Sequence, residues 1–376
     1  MDAPRSRGRL LELAGLFVKL GSVAFGGPAA HIALLETEVV ERRRWLERQH
    51  FLDLIGATQL IPGPNSTEMV MHVGHERAGW PGLLVAGAGF ILPAALITGL
   101  FAWFYVRFGS LPAVAPFFAG IQPVIVAVVA AALWRLGHKA WKDSYTLLLG
   151  LSVAVAALVG TGEIATLAAA ALIGTLWLHT ARKGPAPPSP GGASPGNGTP
   201  GTRAAVLAGA GAASASSALG ATAVATGAPT LVQLALFFLK VGSVLYGSGY
   251  VLLAFLEGGL VERWGWLTES QLLDAVAVGQ LTPGPVLTTA TFVGYLLAGI
   301  PGAVVATVAI FLPSFIFVAA LNPWVPRLRR SPWTAAFLDA VNAAALGLML
   351  AVTVDLARAS IDGWFPALLA IAALVA

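Results

Sequence analysis

Long uninterrupted apolar runs dominate the hydrophobic pattern of this chain. Several approach or exceed the ~20 apolar residues that a helix needs to cross a ~30 Å hydrocarbon core. The clearest runs cover residues 81–105, 114–133, 303–321 and 335–354, and two shorter ones cover residues 147–160 and 164–178. Continuous runs favour helices, because membrane strands alternate apolar and polar residues. The pattern predicts an all-α polytopic membrane protein.

The composition supports this prediction. Of the 376 residues, 57% are hydrophobic and 11% are charged, whereas about 25% are charged in an ordinary soluble domain. The chain has no cysteine, which excludes disulfides, thiolate metal sites and cysteine nucleophiles. Its net charge of +4 comes from basic residues at the ends of the apolar runs, a placement typical of membrane loops rather than of nucleic-acid binding.

An internal repeat divides the chain. Residues 17–64 match residues 238–285 without a gap, and nearly half of the paired positions are identical. After a slip of one residue the match continues to Leu92-Pro93 and Leu312-Pro313. Most identical residues are polar, charged, glycine or proline. The repeat predicts two homologous halves, an organisation typical of secondary transporters.

The two halves are joined by a segment of different composition. We place the first half at residues 1–183 and the second at residues 230–376. Residues 184–229 are rich in proline, glycine and alanine, which is typical of a flexible linker. The second half is predicted to be shorter, with one final apolar run where the first has two.

Glycines interrupt the first apolar element of each half. Gly26 and Gly27 do so in the first half, and Gly247 stands at the matching place in the second. Helical pieces between such interruptions are too short to cross a membrane. Broken backbone at membrane depth is tolerated only where protein or a cavity surrounds it. We therefore expect broken, re-entrant helices at the centre of the protein.

A Pro-Gly-Pro turn forms the second interruption of each half. Proline ends one helix, glycine permits the turn, and the second proline suits the start of a new helix. The new helix presents N–H groups and the positive end of its dipole, which favour an anion. Matched breaks in two halves point to a transporter's binding site, and the alternative is an ordinary capped turn. The turns are Pro62, Gly63 and Pro64, and Pro283, Gly284 and Pro285.

Loop charges indicate how the halves lie in the membrane. In the first half, arginines gather on one side if the broken elements are re-entrant, and that side should be cytoplasmic. In the second half the cluster Arg327, Arg329 and Arg330 lies in the loop equivalent to the one that holds Arg107. This shift favours inverted halves, whereas a simple count of spans favours the same orientation for both.

A lysine recurs in the first apolar element of each half, as Lys19 and Lys240. A cation inside the membrane costs at least ~2.5 kcal/mol and usually faces a partner or a wet cavity. Contact with an anion is one interpretation. The alternatives are snorkelling to the interface and pairing with a repeated carboxylate such as Asp53 or Asp274.

Polar residues beside the breaks complete the predicted anion site. Hydroxyl and amide groups there are suited to donate hydrogen bonds to an oxyanion, although they also suit the capping of freed backbone groups. The predicted substrate-binding residues besides the two lysines are Ser22, Gln59, Gly63, Asn65, Ser66, Thr67, Ser243, Gln280, Gly284 and Thr288.

Four repeated carboxylates are candidate proton carriers, namely Asp53, Asp274, Glu36 and Glu257. A carboxylate near a low dielectric has a raised pKa. The alternative is interfacial pairing with arginines. Glu68 has no acidic twin, because Thr289 matches it, so any role of Glu68 would be asymmetric.

His72, His75 and Glu76 suggest a metal site, since residues three apart share a helix face. The matching positions of the second half are Phe292, Tyr295 and Leu296, and no third-ligand spacing accompanies the pair. We therefore expect structural histidines, no metal, no cofactor and no enzymatic activity. A membrane-embedded metal-dependent enzyme is the less favoured alternative.

Four short signatures of the first half resemble those of the chromate ion transporter family. They are Phe-x-Lys-x-Gly-Ser-x-x-Phe-Gly-Gly (17–27), Glu-Arg-x-x-Trp-Leu (41–46), Gln-Leu-x-Pro-Gly-Pro-Asn (59–65) and Gly-x-Pro-Gly (79–82). The second half resembles the same signature, with Val286 in place of Asn65. The resemblance covers both halves, and in this respect the chain is similar to the two-domain branch of the family.

This resemblance implies a secondary transporter that exports chromate, a dianion shaped like sulfate, across the cytoplasmic membrane and confers chromate resistance. It also implies halves that lie oppositely in the membrane. A sulfate-like dianion is the alternative substrate. The expected partners are the lipid bilayer and the dianion, without nucleic acid, and a homodimer is compatible with the sequence.

Overall fold

Every regular element of the described residues is a helix, as predicted. The computed structural model describes residues 3–59, 61–109, 115–181, 229–246, 249–321, 332–360 and 363–375. The first half contains α1 (Ala3–Val23), α2 (Gly27–Glu36), a π-helical turn (Thr37–Arg42), α3 (Arg48–Thr58), α4 (Asn65–Phe108), α5 (Ala115–Ala140), α6 (Ser144–Leu158) and α7 (Glu163–Ala181).

The second half repeats this order as far as its longest helix. It contains α8 (Leu231–Val244), a 3₁₀ turn (Gly249–Val251), α9 (Leu252–Leu256), a π-helical turn (Glu257–Arg263), α10 (Glu269–Leu281), a 3₁₀ turn (Val286–Thr288), α11 (Thr289–Leu321), α12 (Pro332–Ser360) and α13 (Trp364–Val375). Two π-helical turns at matching places are unusual, because π-helices are rare and often mark functional sites.

The predicted helix breaks are confirmed where the structure describes them. In the first half α1 ends at Val23, and α2 restarts after Gly26, whose φ is 97°. In the second half α8 ends at Val244, and Gly247 lies outside the described residues. The short helices α3 and α10 both end just before a Pro-Gly-Pro turn. Re-entry of these pieces into the membrane stays a prediction.

The long helices α4 and α11 share a kink that the sequence analysis did not predict. In α4 the backbone leaves the helical region at Ala78 (φ −146°, ψ 22°) and Gly79 (φ 64°, ψ −150°). In α11 it does so in nearly the same way at Ala298 and Gly299. A Gly-x-Pro-Gly motif occupies both places, so the repeat extends to the backbone angles.

Five helices of the described residues are long and apolar enough to cross a membrane. They are Asn65–Phe108, Gly120–His138, Glu163–Thr180, Val286–Ala320 and Pro332–Arg358, with shorter apolar helices at Ser144–Leu158, Leu231–Val244 and Trp364–Leu374. Each of the four clear apolar runs lies within one of these spans or overlaps it. The run at 147–160 falls on a helix too short to span by itself, whereas that at 164–178 belongs to a full span.

Glycines bring the first helix of each half close to the long helix of the same half. A Cβ atom at Gly21 of α1 would collide with the carbonyl oxygen of Phe90 in α4. At the matching position, a Cβ at Gly242 of α8 would collide with the carbonyl oxygen of Ile310 in α11. Helices α4 and α11 also pack against each other, so the two Pro-Gly-Pro turns lie at a central junction of the halves.

Away from this junction the two halves interlock instead of forming separate bodies. Helix α12 of the second half packs against α5, α6 and α7 of the first, and α13 packs against α5. One core cluster accordingly mixes residues of both halves, while a second comes only from the first. The predicted domain boundaries stay a prediction, because most of the linker and the cluster Arg327, Arg329 and Arg330 lie outside the described residues.

Candidate transport site

Each Pro-Gly-Pro turn is hydrogen-bonded to the helix break of the opposite half. The N–H of Gly63 donates to the carbonyl oxygen of Leu245 at 2.6 Å, and the N–H of Gly284 donates to the carbonyl oxygen of Ala24 at 2.8 Å. Gly63 matches Gly284, and Ala24 matches Leu245, so the two bonds are reciprocal. The breaks of the two halves therefore form one joint structure at the centre of the protein.

In the first half, the helix that restarts after this turn buries polar atoms without partners. Thr67 and Glu68 are fully buried in the first turn of α4. Among the described residues, Asn65 Oδ1, Thr67 Oγ1 and both carboxyl oxygens of Glu68 have no hydrogen-bond partner. Buried polar groups nearly always have a partner, so three such residues in one helical turn indicate a site for a ligand or water.

The second half contributes to the surroundings of Glu68. The side-chain oxygens of Glu68 and of Ser314 in α11 occupy the space that a Cβ at Gly63 would need. Ser314 Oγ is itself buried, and the Glu68 carboxyl is the polar group beside it. Burial raises the pKa of the nearby Tyr246 to about 12, and the Glu68 carboxyl adds to this shift. The polar cluster is thus lined from both halves.

A buried histidine links the first helix break to α4. His31 Nε2 lies 3.0 Å from the carbonyl oxygen of Ala24, and its Nδ1 lies 3.3 Å from Ser66 Oγ. If Nε2 donates to the carbonyl oxygen, Nδ1 accepts from the serine hydroxyl. Burial lowers the pKa of His31. The histidine therefore positions Ser66 beside the turn.

The matching helix start of the second half satisfies its own polar groups. The hydroxyl of Thr288 donates to the carbonyl oxygen of Pro285 at 2.8 Å, and that of Thr289 donates to Val286 at 2.8 Å. Thr98 of α4 donates to Thr288 Oγ1 at 3.2 Å. The two restarts are therefore chemically unequal, because the described hydroxyls of the second restart have partners and Thr67 Oγ1 of the first has none among the described residues.

The two repeated lysines lie on exposed helix faces. Lys19 is exposed on α1 and Lys240 on α8, whereas Gly21 and Gly242, two residues further on, are buried against α4 and α11. Residues two apart on a helix point in nearly opposite directions. The structure thus places both lysines away from the face that packs on the long helices.

The repeated serines and glutamines have different surroundings. Ser22 and Ser243 donate to carbonyl oxygens of their own helices at 2.7 Å. Gln59 is exposed at the end of α3. Gln280 Nε2 is buried and has no partner among the described residues, and it lines a small cavity with Val286 and Thr289. Of these four residues, Gln280 is the one that lies beside a helix restart with a buried side-chain nitrogen that has no partner in the described part of the chain.

The four repeated carboxylates also differ. Asp274 accepts hydrogen bonds from Tyr105 OH at 2.7 Å and from Gln122 Nε2 at 3.2 Å, and burial raises its pKa. Glu36 pairs with Arg48 at 3.3 Å. Glu257 is buried, and its Oε2 has no partner among the described residues. The side chain of Asp53 lies outside the description.

The structure places His72 and Glu76 in different surroundings. His72 is buried, and Glu76 lies 3.6 Å from His50 in an ion-pair geometry. No group of three metal-ligating side chains occurs in the described ranges.

Sequence reasoning missed several residues of this junction. His31, Thr98, Tyr246 and Ser314 face the turns, but none belongs to a repeated polar motif. The repeat marks Glu68 only as an acid without an acidic twin. Its place directly after a predicted helix break was the signal that could have marked it as a central residue.

Paired helix breaks joined across two homologous halves, among helices that can span a membrane, define a membrane transporter. The sequence model of the family described as Chromate transporter matches residues 11–175 and 232–376. The chain belongs to this family. It is therefore a transporter and not an enzyme.

Three relatives named for chromate transport are similar over nearly the whole chain. The chromate transport protein of Cupriavidus metallidurans is 32% identical over 96% of this chain and 86% of its own length. The probable chromate transport protein of Synechococcus elongatus is 31% identical over 94% of this chain and 86% of its own. That of Pseudomonas aeruginosa is 31% identical over 93% and 82%. No solved structure matches the chain.

Proposed function

We propose that this protein is a secondary transporter that exports chromate across the cytoplasmic membrane and so confers chromate resistance. Family membership supports the class of transporter, and the relatives named above support chromate as the substrate. A tetrahedral oxyanion needs several hydrogen-bond donors at a site screened from bulk water. The junction of the two halves offers such a place.

The observation that carries this proposal is the set of unpartnered polar groups at the start of α4. The hydroxyl of Thr67 is a donor, and the amide of Asn65 presents either its oxygen or its NH₂ group when it turns. Both belong to a helix start, where the dipole favours negative charge. The hydroxyl of Ser314 adds a donor from the second half. These groups would replace part of the hydration shell of the oxyanion.

Glu68 sets a condition on this site. An ionised carboxylate would repel a dianion, and burying an unpaired carboxylate is itself costly. In its protonated form the same group donates a hydrogen bond. Oxyanion binding is therefore proposed to require a proton on Glu68.

The glycines and lysines take indirect roles in this proposal. The N–H groups of Gly63 and Gly284 already donate across the junction, so they hold the two breaks together and do not contact the anion. Lys19 and Lys240 are exposed, and we assign them to attracting the anion towards the protein. Halves of opposite orientation with re-entrant helices complete the proposed mechanism, because such halves can expose one central site alternately to the two sides.

Inside-out membrane vesicles that contain the protein provide the test. We expect them to accumulate labelled chromate, and the double variant Asn65→Ala/Thr67→Ala to lose at least about tenfold in uptake. A hydrogen bond to a charged group contributes about 1.5–3 kcal/mol, and 1.4 kcal/mol is tenfold. The matched control is Thr288→Ala/Thr289→Ala, whose hydroxyls bond their own backbone and should matter less.

Unlabelled sulfate added to the same vesicles distinguishes the alternative substrate. Sulfate and chromate are both tetrahedral dianions, so a site built from hydroxyl and amide donors accepts either shape. Strong competition by sulfate would identify a general oxyanion exporter. No chromate accumulation above that of empty vesicles would overturn the proposal.

A further inference from the structure

A cavity of about 240 Å³ lined by carboxylates lies where residues of the two halves meet. Water occupies about 30 Å³ per molecule in the liquid, so the cavity has room for several. Exposed residues such as Thr161 and Glu262 belong to its wall, so the cavity opens at the surface of the protein. It lies where the α6–α7 connection meets the π-helical turn that begins at Glu257.

Glu257 is the buried member of this cavity wall. The residue is 5% exposed, and its Oε2 has no hydrogen-bond partner among the described residues. Glu163 lies directly against the neighbouring Gly258, because a Cβ there would collide with the Glu163 carboxylate. Glycine at position 258 thus makes room for a second acid beside the first.

The twin of Glu257 in the first half has a different electrostatic setting. Glu36 pairs with Arg48, the first residue of α3, at 3.3 Å. The residue that matches Arg48 is Glu269, the first residue of α10. The second half has therefore replaced the cation with an acid, and Glu257 has no ion-pair partner in the described part of the chain.

Charged groups approach Glu257 from every element that packs around it. Burial, followed by the charges of acids on four elements, raises its pKa to about 8. The acids are Glu163 of α7, Glu262 of the π-helical turn, Glu269 of α10 and Asp355 of α12, and the cations nearby are Arg263, Lys240 and Arg358. Lys240 acts on Glu163, and Arg358 pairs with Asp355 at 3.4 Å.

We propose that this carboxylate-lined cavity is a proton-binding site, and that Glu257 takes up and releases the proton. The proton comes from water in the cavity and converts the carboxylate into a neutral carboxyl group. A metal cation is disfavoured, because no group of three metal-ligating side chains occurs in the described residues. Binding of the proton neutralises Glu257 and so relieves its repulsion by the surrounding acids. A single hydrogen bond from a neutral partner would leave the charge of Glu257 in place.

The position of Glu257 connects the cavity with the transport junction. Glu257 directly follows α9. Three residues of this helix line the small cavity beside Gln280 and Val286, namely Leu252, Leu253 and Leu256. One short helix thus contacts the second Pro-Gly-Pro restart and bears the proton site at its end. The inference rests on the proposed function for its role in coupling, but proton binding itself can be measured without any anion.

Infrared absorption of protonated carboxyl groups tests the site in the purified full chain without anion. We expect a titration step near pH 8 that is absent in Glu257→Gln and present in the matched variant Glu36→Gln. Exposed Glu269 offers a second test that does not disturb the core. Glu269→Arg restores the charge arrangement of the first half, and an opposite charge within ~4–6 Å lowers the pKa of an acid by about 1–3 units.

The step should therefore move down by at least about one pH unit in Glu269→Arg. A step that persists in Glu257→Gln, or one that does not move in Glu269→Arg, would overturn the proton site. Labelled-chromate uptake separates this outcome from failure of the proposed function. Chromate uptake without the titration step would support the transporter and contradict the proton site. The titration step without chromate uptake would support the proton site and contradict chromate export.

Discussion

The two halves of the protein differ most in their side chains at the places where their backbones are most alike. At the Pro-Gly-Pro restart, Asn65 Oδ1, Thr67 Oγ1 and the Glu68 carboxyl of the first half have no hydrogen-bond partner among the described residues. Thr288 and Thr289 of the second half bond their own backbone. At the π-helical turn the situation is reversed. There the first half pairs Glu36 with Arg48, whereas Oε2 of the buried Glu257 has no partner in the part of the chain that the structure describes.

This contrast shows how a duplicated fold can divide two tasks. Glycines, prolines and backbone angles are repeated, so both halves build the same breaks. Some of the side chains that decide charge and hydrogen bonding are not repeated, such as Glu68, matched by Thr289, and Arg48, matched by Glu269. We propose that the first half supplies most contacts to the anion and the second half supplies the proton site.

The largest effect is expected at the glycines that join the halves. Gly63 has a φ of 142° and Gly284 a φ of 88°, and a Cβ at either place collides with the opposite half. Alanine should destabilise the protein by about 2–5 kcal/mol, from ~1–2 of backbone strain and ~1–3 of overpacking. Thermal unfolding in detergent measures this.

Gly160→Ala is the control for these glycine variants. Gly160 also has a positive φ of 87°, but a Cβ there meets open space, so only the backbone strain remains. Equal melting temperatures for Gly63→Ala and Gly160→Ala would show that the junction tolerates a side chain, contrary to the tight contact described here.

Glu68 provides the next test of the inequality between the restarts. Glu68→Ala should reduce chromate uptake about 100-fold, because it removes the donor and leaves a cavity, a combined loss of roughly 3 kcal/mol. Glu68→Gln should retain most activity, since its amide is neutral and donates as a protonated carboxyl does. Initial uptake rates in inside-out vesicles measure both. Equal losses in the two variants would remove the proposed proton requirement at Glu68.

A smaller effect is expected on the pH dependence of stability at Glu257. Its pKa of about 8 in the folded protein exceeds the ~4.3 of an unfolded glutamate, so the folded state binds a proton that the unfolded state lacks between these values. The free energy of unfolding therefore falls as pH rises through this window. Relative to the unmodified protein, Glu257→Gln should gain about 1 kcal/mol per pH unit from pH 5 to 8.

Melting temperatures of both proteins across this pH range measure the difference. Glu36→Gln is the matched control, since it removes only a partly exposed ion pair, a kind of interaction that contributes about 0–1 kcal/mol. Parallel curves for Glu257→Gln and the unmodified protein would contradict the assignment of the buried acid.

The smallest effect is expected at the repeated lysines. Lys19→Ala and Lys240→Ala should each slow uptake only a few-fold, because both residues are exposed and attraction at a distance is screened by salt. The loss should shrink as ionic strength rises. A loss of about 100-fold that salt does not change would instead indicate direct contact with the anion, worth roughly 3 kcal/mol.

Local sequence was sufficient to predict the helices and their interruptions. The break after α1 and the turns at Gly63 and Gly284 follow from the backbone preferences of glycine and proline, which act within a few residues. The long spans follow from the length of their apolar runs. The kink at Gly79 was also predictable from the sequence, because Gly-x-Pro-Gly recurs at Gly299.

The surroundings of the site could not be predicted in the same way. Ser314 and Tyr246 approach Glu68 from the second half, and His31 reaches Ser66 across a helix break. These contacts join residues remote in sequence, so neither periodicity nor motif spacing encodes them. The repeated lysines show that repetition alone does not decide a role. Their repetition suggested direct contact with the anion, but the structure places both on exposed helix faces.

By itself, the sequence determined the membrane class, the doubling into two halves and the positions of the paired breaks, because these depend on hydrophobic length and local backbone preference. Only the tertiary structure decided which polar groups lose water and remain without partners. It also decided that Gly63 and Gly284 use their N–H groups across the junction. Burial and hydrogen-bond partners are set by elements that meet only in the folded chain, and for Glu68 and Glu257 those elements come from both halves.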